Sequence, residues 1–155
     1  MWASDDGSTD GTRGILQTTR DHWGESKLIV LDGPQRGLAA NFFSLVTNDE
    51  IQADAYAFAD QDDVWEPSKM ASAVEWLATV PADVPALYCS RTRLIDESGE
   101  EVGVSPLFRK APSFANALTQ NIASGNTMVF NEAARNLLRA TAGHGATSVM
   151  HDWRS

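Results

Sequence analysis

The residues best suited to chemistry are Asp60, Asp62 and Asp63, which follow the short apolar run Tyr56-Ala57-Phe58-Ala59 without a break. Residues two apart on an extended chain point the same way, so Asp60 and Asp62 are expected to project together, with Asp63 beside them. At about 4 Å and an effective dielectric near 20, each like-charged pair costs roughly 4 kcal/mol, so the cluster calls for a cation, protonation or full solvation. Magnesium binds typically through one or two carboxylates plus substrate phosphates, and an Asp-x-Asp at a strand end supplies those carboxylates. A plain solvated turn ahead of a helix would use the same residues, since Asp favours turns. The residue types alone leave both readings open.

A second polar cluster, Asp5-Asp6-Gly7-Ser8-Thr9-Asp10-Gly11-Thr12, places small polar residues between glycines and suits a loop whose backbone lies close to a ligand. Asp6, Ser8, Asp10 and Gly11 also fall loosely on the first positions of a calcium-binding EF-hand loop. That reading puts Gln17 where a bidentate Glu is needed and leaves five residues for an entering helix. The chain has no Gly-Lys-Ser/Thr phosphate loop and no Gly-x-Gly-x-x-Gly. An unspecialised polar loop remains the alternative.

The elements that must carry these clusters alternate in type. Leu28-Ile29-Val30-Leu31 reads as a buried strand closed by Asp32-Gly33-Pro34, and Leu38, Phe42, Leu45 and Val46 fall at helical spacing in a helix opening near Gly37. Tyr56 to Ala59 reads as a second strand. Pro67 suits the first turn of a helix whose apolar face is Met70, Val74 and Leu77, ending by Pro81. Ala86 to Ile95 reads as one strand, Asp96-Glu97-Ser98-Gly99 as a turn leading to Val102 and Val104, and the stretch from Val102 to Pro112 as strand or loop. A helix from Ser113 through Asn121, a strand from Asn126 to Phe130, and a last helix from Glu132 to Ala140 capped by Asn131 complete an α/β pattern.

At 155 residues the chain is the size of one domain, able to bury roughly two thirds of the surface it exposes when unfolded. Twenty-one acidic against twelve basic residues give a formal charge of −9, which repels polyanions and argues against nucleic acid as a partner. A divalent ion between carboxylates and a small diphosphate would reverse that sign locally. Cys89 is the only cysteine, so no internal disulfide can form, and a cytoplasmic location is the simpler expectation. No apolar run approaches the ~18 to 20 residues of a membrane span, and the N-terminal residues lack a signal-peptide pattern.

Taken together, DDGSTDGT at 5 to 12, RGLAANFF at 36 to 43, FADQDDVW at 58 to 65, SGNTMVF at 124 to 130 and HDW at 151 to 153 resemble family 2 glycosyltransferases. The closest look is to bacterial, rhamnosyltransferase-like members that build surface polysaccharides. The resemblance implies a GT-A (Rossmann-like) fold, a three-layer α/β/α domain with a mixed sheet, and transfer of a sugar with inversion from a UDP- or dTDP-linked donor to a glycan or lipid-linked acceptor. It also implies a divalent cofactor, Mg2+ or Mn2+. Carried over residue by residue, Asp6 contacts the nucleobase with Asp5 close by, Asp60 lies near the ribose or metal, and Asp62 is the metal ligand. Asp152 is the general base, and Gly125, Asn126 and Thr127 border the acceptor. His151 would position a neighbour, Trp65 and Trp153 would pack or stack on a sugar, and Arg36 would reach a phosphate or stay solvated.

Such proteins normally open with a strand and helix before the DDGS-like loop, whereas only Met1 to Ser4 precede it here, and they continue past the late acidic motif. The chain is therefore expected to be a single partial domain over 1–155, lacking the first strand and a C-terminal part. The parent would be peripheral at the inner face of the membrane. An exposed sheet edge or apolar patch would favour self-association. Two rival functions remain: a non-catalytic remnant of such an enzyme, and a GT-A-like nucleotidyltransferase, which would attack the α-phosphorus and release pyrophosphate.

Overall fold

The computed structural model describes residues 1–109, 113 and 123–142. These divide into two compact units: Met1–Gln52 with residues 138–142, and the described part of Ala53–Leu137. Most of the helix expected between Ser113 and Asn121 falls outside the described residues, as does the late motif at 151 to 153.

The first unit begins with strand β1 (Trp2–Asp5), helix α1 (Thr12–Trp23), strand β2 (Ile29–Asp32) and helix α2 (Leu38–Val46). β1 pairs with β2 in parallel, from Trp2 opposite Ile29 to Asp5 opposite Asp32. Parallel neighbours need a crossover, and α1 supplies it. Composition gives little warning of α1. It contains Gly14 and three threonines and buries none of its residues, though Ile15, Leu16, Thr19 and Trp23 fall at helical spacing. Its start is secured by Asp10, which accepts the Thr12 N–H at 3.0 Å, and its end by Gly24 at φ 98°. The strand expected at Leu28 starts one residue later, and Leu28 itself is fully buried.

α2 opens after Gly37, as its spacing predicts. It is tied to β1 through a reciprocal pair: the Asn41 side chain donates to the Ser4 carbonyl at 2.9 Å and accepts the Ser4 hydroxyl at 2.6 Å. Its buried residues are Ala39 and Val46, while Leu38, expected in the core, stays exposed at the helix start.

In the second unit, strands β3 (Ala55–Ala57), β4 (Leu87–Tyr88) and β7 (Val129–Asn131) form an antiparallel sheet in the order β3-β7-β4. Helix α3 (Lys69–Leu77) joins a core of Ala73, Leu77, Ala86 and Val129, with Met70 against it. Small Ala73 is the buried residue between Met70 and Leu77, and Val74, expected on the apolar face, is 47% exposed. The strand expected from Ala86 to Ile95 breaks in two. Only Leu87 and Tyr88 join the sheet, and Arg93–Ile95 forms β5, which pairs with β6 (Glu101–Val104) as a separate hairpin. Asp96 makes that hairpin's turn as expected, accepting the N–H groups of Ser98 at 2.9 Å and Glu100 at 3.0 Å.

The strand expected from Asn126 starts late because Gly125–Thr127 form a single 3-10 turn. Asn131 then ends β7 and caps helix α4 (Glu132–Ala142), accepting the Ala134 N–H at 3.0 Å. The same side chain accepts from Ala86 N–H at 3.1 Å and donates to the Val84 carbonyl at 2.8 Å, so one buried amide secures a helix start and a strand entrance. No helix among the described residues is long and apolar enough to cross a membrane.

Candidate functional site

The described residues place the predicted carboxylates in two separate settings, one in each unit. In the first unit, β1 delivers Asp5 and Asp6 directly into the DDGS loop. Asp5 is buried and accepts Arg13 Nε–H at 2.6 Å and the Ser8 N–H at 3.3 Å. Arg13 also reaches Asp32 at the end of β2, so one guanidinium links the ends of both parallel strands. The Ser8 and Arg13 hydrogen bonds, which favour the charged form, hold the Asp5 carboxyl below the ordinary aspartate range against the opposing effect of burial.

Asp6 points the other way. Its carboxylate accepts the Gln35 N–H at 2.5 Å and the Gly37 N–H at 3.0 Å, which pulls the loop after β2 onto the DDGS loop. Two backbone features permit this closure. Gln35 adopts φ 55°, unusual for a residue with a side chain. At Gly33 a Cβ would fall 2.7 Å from Asp6 Oδ1, 2.5 Å from Asn41 Oδ1 and 2.9 Å from the Asp6 backbone, so only glycine fits. Arg36 is exposed. Reading the sequence alone missed Arg13 and treated Gly33 only as part of a turn; neither has a local signal, because each acts through a partner brought close by strand pairing.

In the second unit, Asp60 is half-buried, and Asp62 and Asp63 are exposed in the loop after β3. Asp63 accepts a hydrogen bond from the side-chain amide of Asn126 in the 3-10 turn, joining the acidic loop to a residue expected on the acceptor side. Lys69, at the start of α3, donates to the backbone carbonyl of Asn126 at 2.5 Å and lies over the Trp65 ring, 3.5 Å from its centre. Burial lowers the Lys69 pKa, and the charges of Asp63 and Asp60 oppose that effect. Part of the repulsion within the acidic loop is therefore offset by a cation of the chain itself, which motif reading did not anticipate. Gly125 and Thr127 are buried, and the Thr127 hydroxyl is spent on the Ser124 carbonyl at 2.7 Å.

A hard divalent ion suits the oxygen donors of this loop. Among the described residues, no group of three or more His, Cys, Asp or Glu side chains forms a ready-made cation cage. Asp152 lies outside the described residues.

The model of one family, glycosyl transferase family 2, matches residues 1–138. The chain belongs to that family. The match takes in the DDGS loop, the Asp60–Asp63 loop and the 3-10 turn, and it ends before Asp152. No curated protein and no solved structure matches the chain. Family 2 membership makes this a glycosyltransferase domain of α/β type, for which a nucleotide-sugar donor and an acceptor are the expected partners.

Proposed function

We propose that this family 2 chain binds a UDP- or dTDP-linked sugar and serves its transfer, with inversion, to a glycan or lipid-linked acceptor in polysaccharide synthesis, in a rhamnosyltransferase-like enzyme. The observation that carries the reading is a single family match embracing both acidic loops. In this reading Asp6, with Asp5 close by, meets the nucleobase, and Asp60 lies near the ribose or metal. The backbone hydrogen bonds to Asp6 support a recognition role, since a carboxylate held at two points presents its remaining lone pairs in a fixed direction.

Asp62 would hold Mg2+ or Mn2+, and such an ion, when bound, stabilises negative charge on a departing diphosphate. The acceptor hydroxyl is a weak nucleophile, and Asp152 would take its proton as it attacks the anomeric carbon. One displacement inverts that carbon. Gly125, Asn126 and Thr127 would border the acceptor, and the work is assigned to the cytoplasmic face of a membrane.

The test is calorimetric titration of the protein with UDP and with dTDP, in the presence and absence of Mn2+. Binding should depend on the metal and weaken sharply in Asp62→Asn. Equal affinity in the two proteins would remove Asp62 from this role.

A further inference from the structure

The loop carrying Asp60 to Trp65 and the turn Gly125–Thr127 are joined by a relay of two hydrogen bonds. Lys69 Nζ donates to the Asn126 backbone carbonyl at 2.5 Å, across 57 positions of sequence, and the Asn126 side-chain amide donates to Asp63. A carboxylate only accepts, so the Asn126 NH2 must face Asp63 and its carbonyl oxygen must face away. That oxygen, Oδ1, is buried without a hydrogen-bond partner. A buried amide oxygen left in this state gains by turning toward any donor, so the orientation persists only while both ends of the residue are held. Lys69 supplies the backbone end, and its own position is set by the half-buried face of Trp65.

We propose that Lys69 is a positioning residue that, through Asn126, keeps Asp63 engaged within the protein and out of the cation's coordination sphere, so that Asp62 is the carboxylate that meets the ion. The proposal rests on the cation reading of Asp62 given above and divides labour between two adjacent aspartates. Asp63 orders the loop, and Asp62 binds.

Removing the Lys69 ammonium releases the Asn126 carbonyl and lets the amide leave Asp63. The Asp63 carboxylate then swings freely beside Asp62, and its ordering must be supplied at binding. The experiment is calorimetric titration with UDP in the presence of Mn2+, on the wild-type chain and on Lys69→Met, Lys69→Arg, Asp63→Asn and Asp62→Asn. A parallel 15N–1H spectrum of the metal-free proteins follows the Asn126 side-chain amide. Lys69→Met should weaken binding about tenfold, the scale of one charge-assisted hydrogen bond, and shift the Asn126 amide signals. Lys69→Arg should restore most of the affinity.

Asp63→Asn keeps an acceptor for Asn126 and removes the charge. It should stay within about threefold of wild type, whereas loss of a directly coordinating carboxylate costs far more. Loss of binding in Asp62→Asn together with wild-type behaviour in Lys69→Met overturns this proposal and leaves the cation reading standing. Asp63→Asn failing as completely as Asp62→Asn makes Asp63 a ligand and also overturns it, whether or not Lys69→Met folds. Unchanged binding in Asp62→Asn overturns the cation reading and the division of labour with it.

Discussion

The DDGS loop of the first unit and the acidic loop of the second carry the same residue type under opposite constraints. Asp5 is buried against Arg13, and Asp6 is fixed by the Gln35 and Gly37 amides. Asp62 and Asp63 are exposed, and Asp63 has an internal ammonium nearby and one hydrogen bond from the Asn126 side-chain amide. In the proposed reading, a carboxylate that recognises the edge of a base gains from being held still. One that accepts a hydrated cation and releases it would gain from keeping access to water. The contrast teaches that aspartates in one family motif set need not be equally tied into the fold.

The comparison can be broken first at Gly33. Gly33→Ala places a methyl against Asp6 and Asn41 at distances no Cβ tolerates, and the Asp6 backbone cannot yield without opening the loop. The expected loss of stability is about 1–3 kcal/mol, read from urea denaturation. A wild-type midpoint would mean that the DDGS loop is not closed as described.

A pH titration sharpens the contrast. The folded Asp5 carboxyl ionises below its unfolded range, so its stabilising contribution is complete above about pH 4 and is lost as pH falls through the lower folded value. Thermal melts from pH 6 downward should show a steeper acid loss in wild type than in Asp5→Asn, which has no proton to take up at that site. Parallel acid limbs would remove the Arg13 and Ser8 bonds from the account.

The smallest effect belongs to the exposed loop. Asp62→Ala should change unfolding stability by no more than about 0.5 kcal/mol, the usual range for exposed positions. A larger loss would show that Asp62, too, is a structural member of its loop.

Much of the local design is legible in residue order. Gly37 opens α2, Asp96 shapes the hairpin turn and Asn131 caps α4, because each of these acts on backbone groups within four residues of itself. Less legible are the elements whose sequence carries no contrast. α1 carries Gly14 and three threonines that weaken its helical signal, while the run from Ala86 to Ile95 reads as one strand yet only its first part finds a place beside β7. Ala73 rather than Val74 enters the core with Leu77, a choice that helical spacing leaves open because both lie within one turn of Met70 and Leu77.

By itself, the order of residues determined that two acidic loops exist, that a short strand leads into the second and which family they signal, since motif spacing and short-range hydrogen bonding reside in contiguous chain. Tertiary structure alone decided which carboxylates are committed. Arg13 meets Asp32 only because β1 and β2 lie parallel, and Lys69 meets Asn126 only because α3 and the 3-10 turn are folded together. Such partners are separated by long stretches of chain, and their encounter depends on the closure of the whole unit around them.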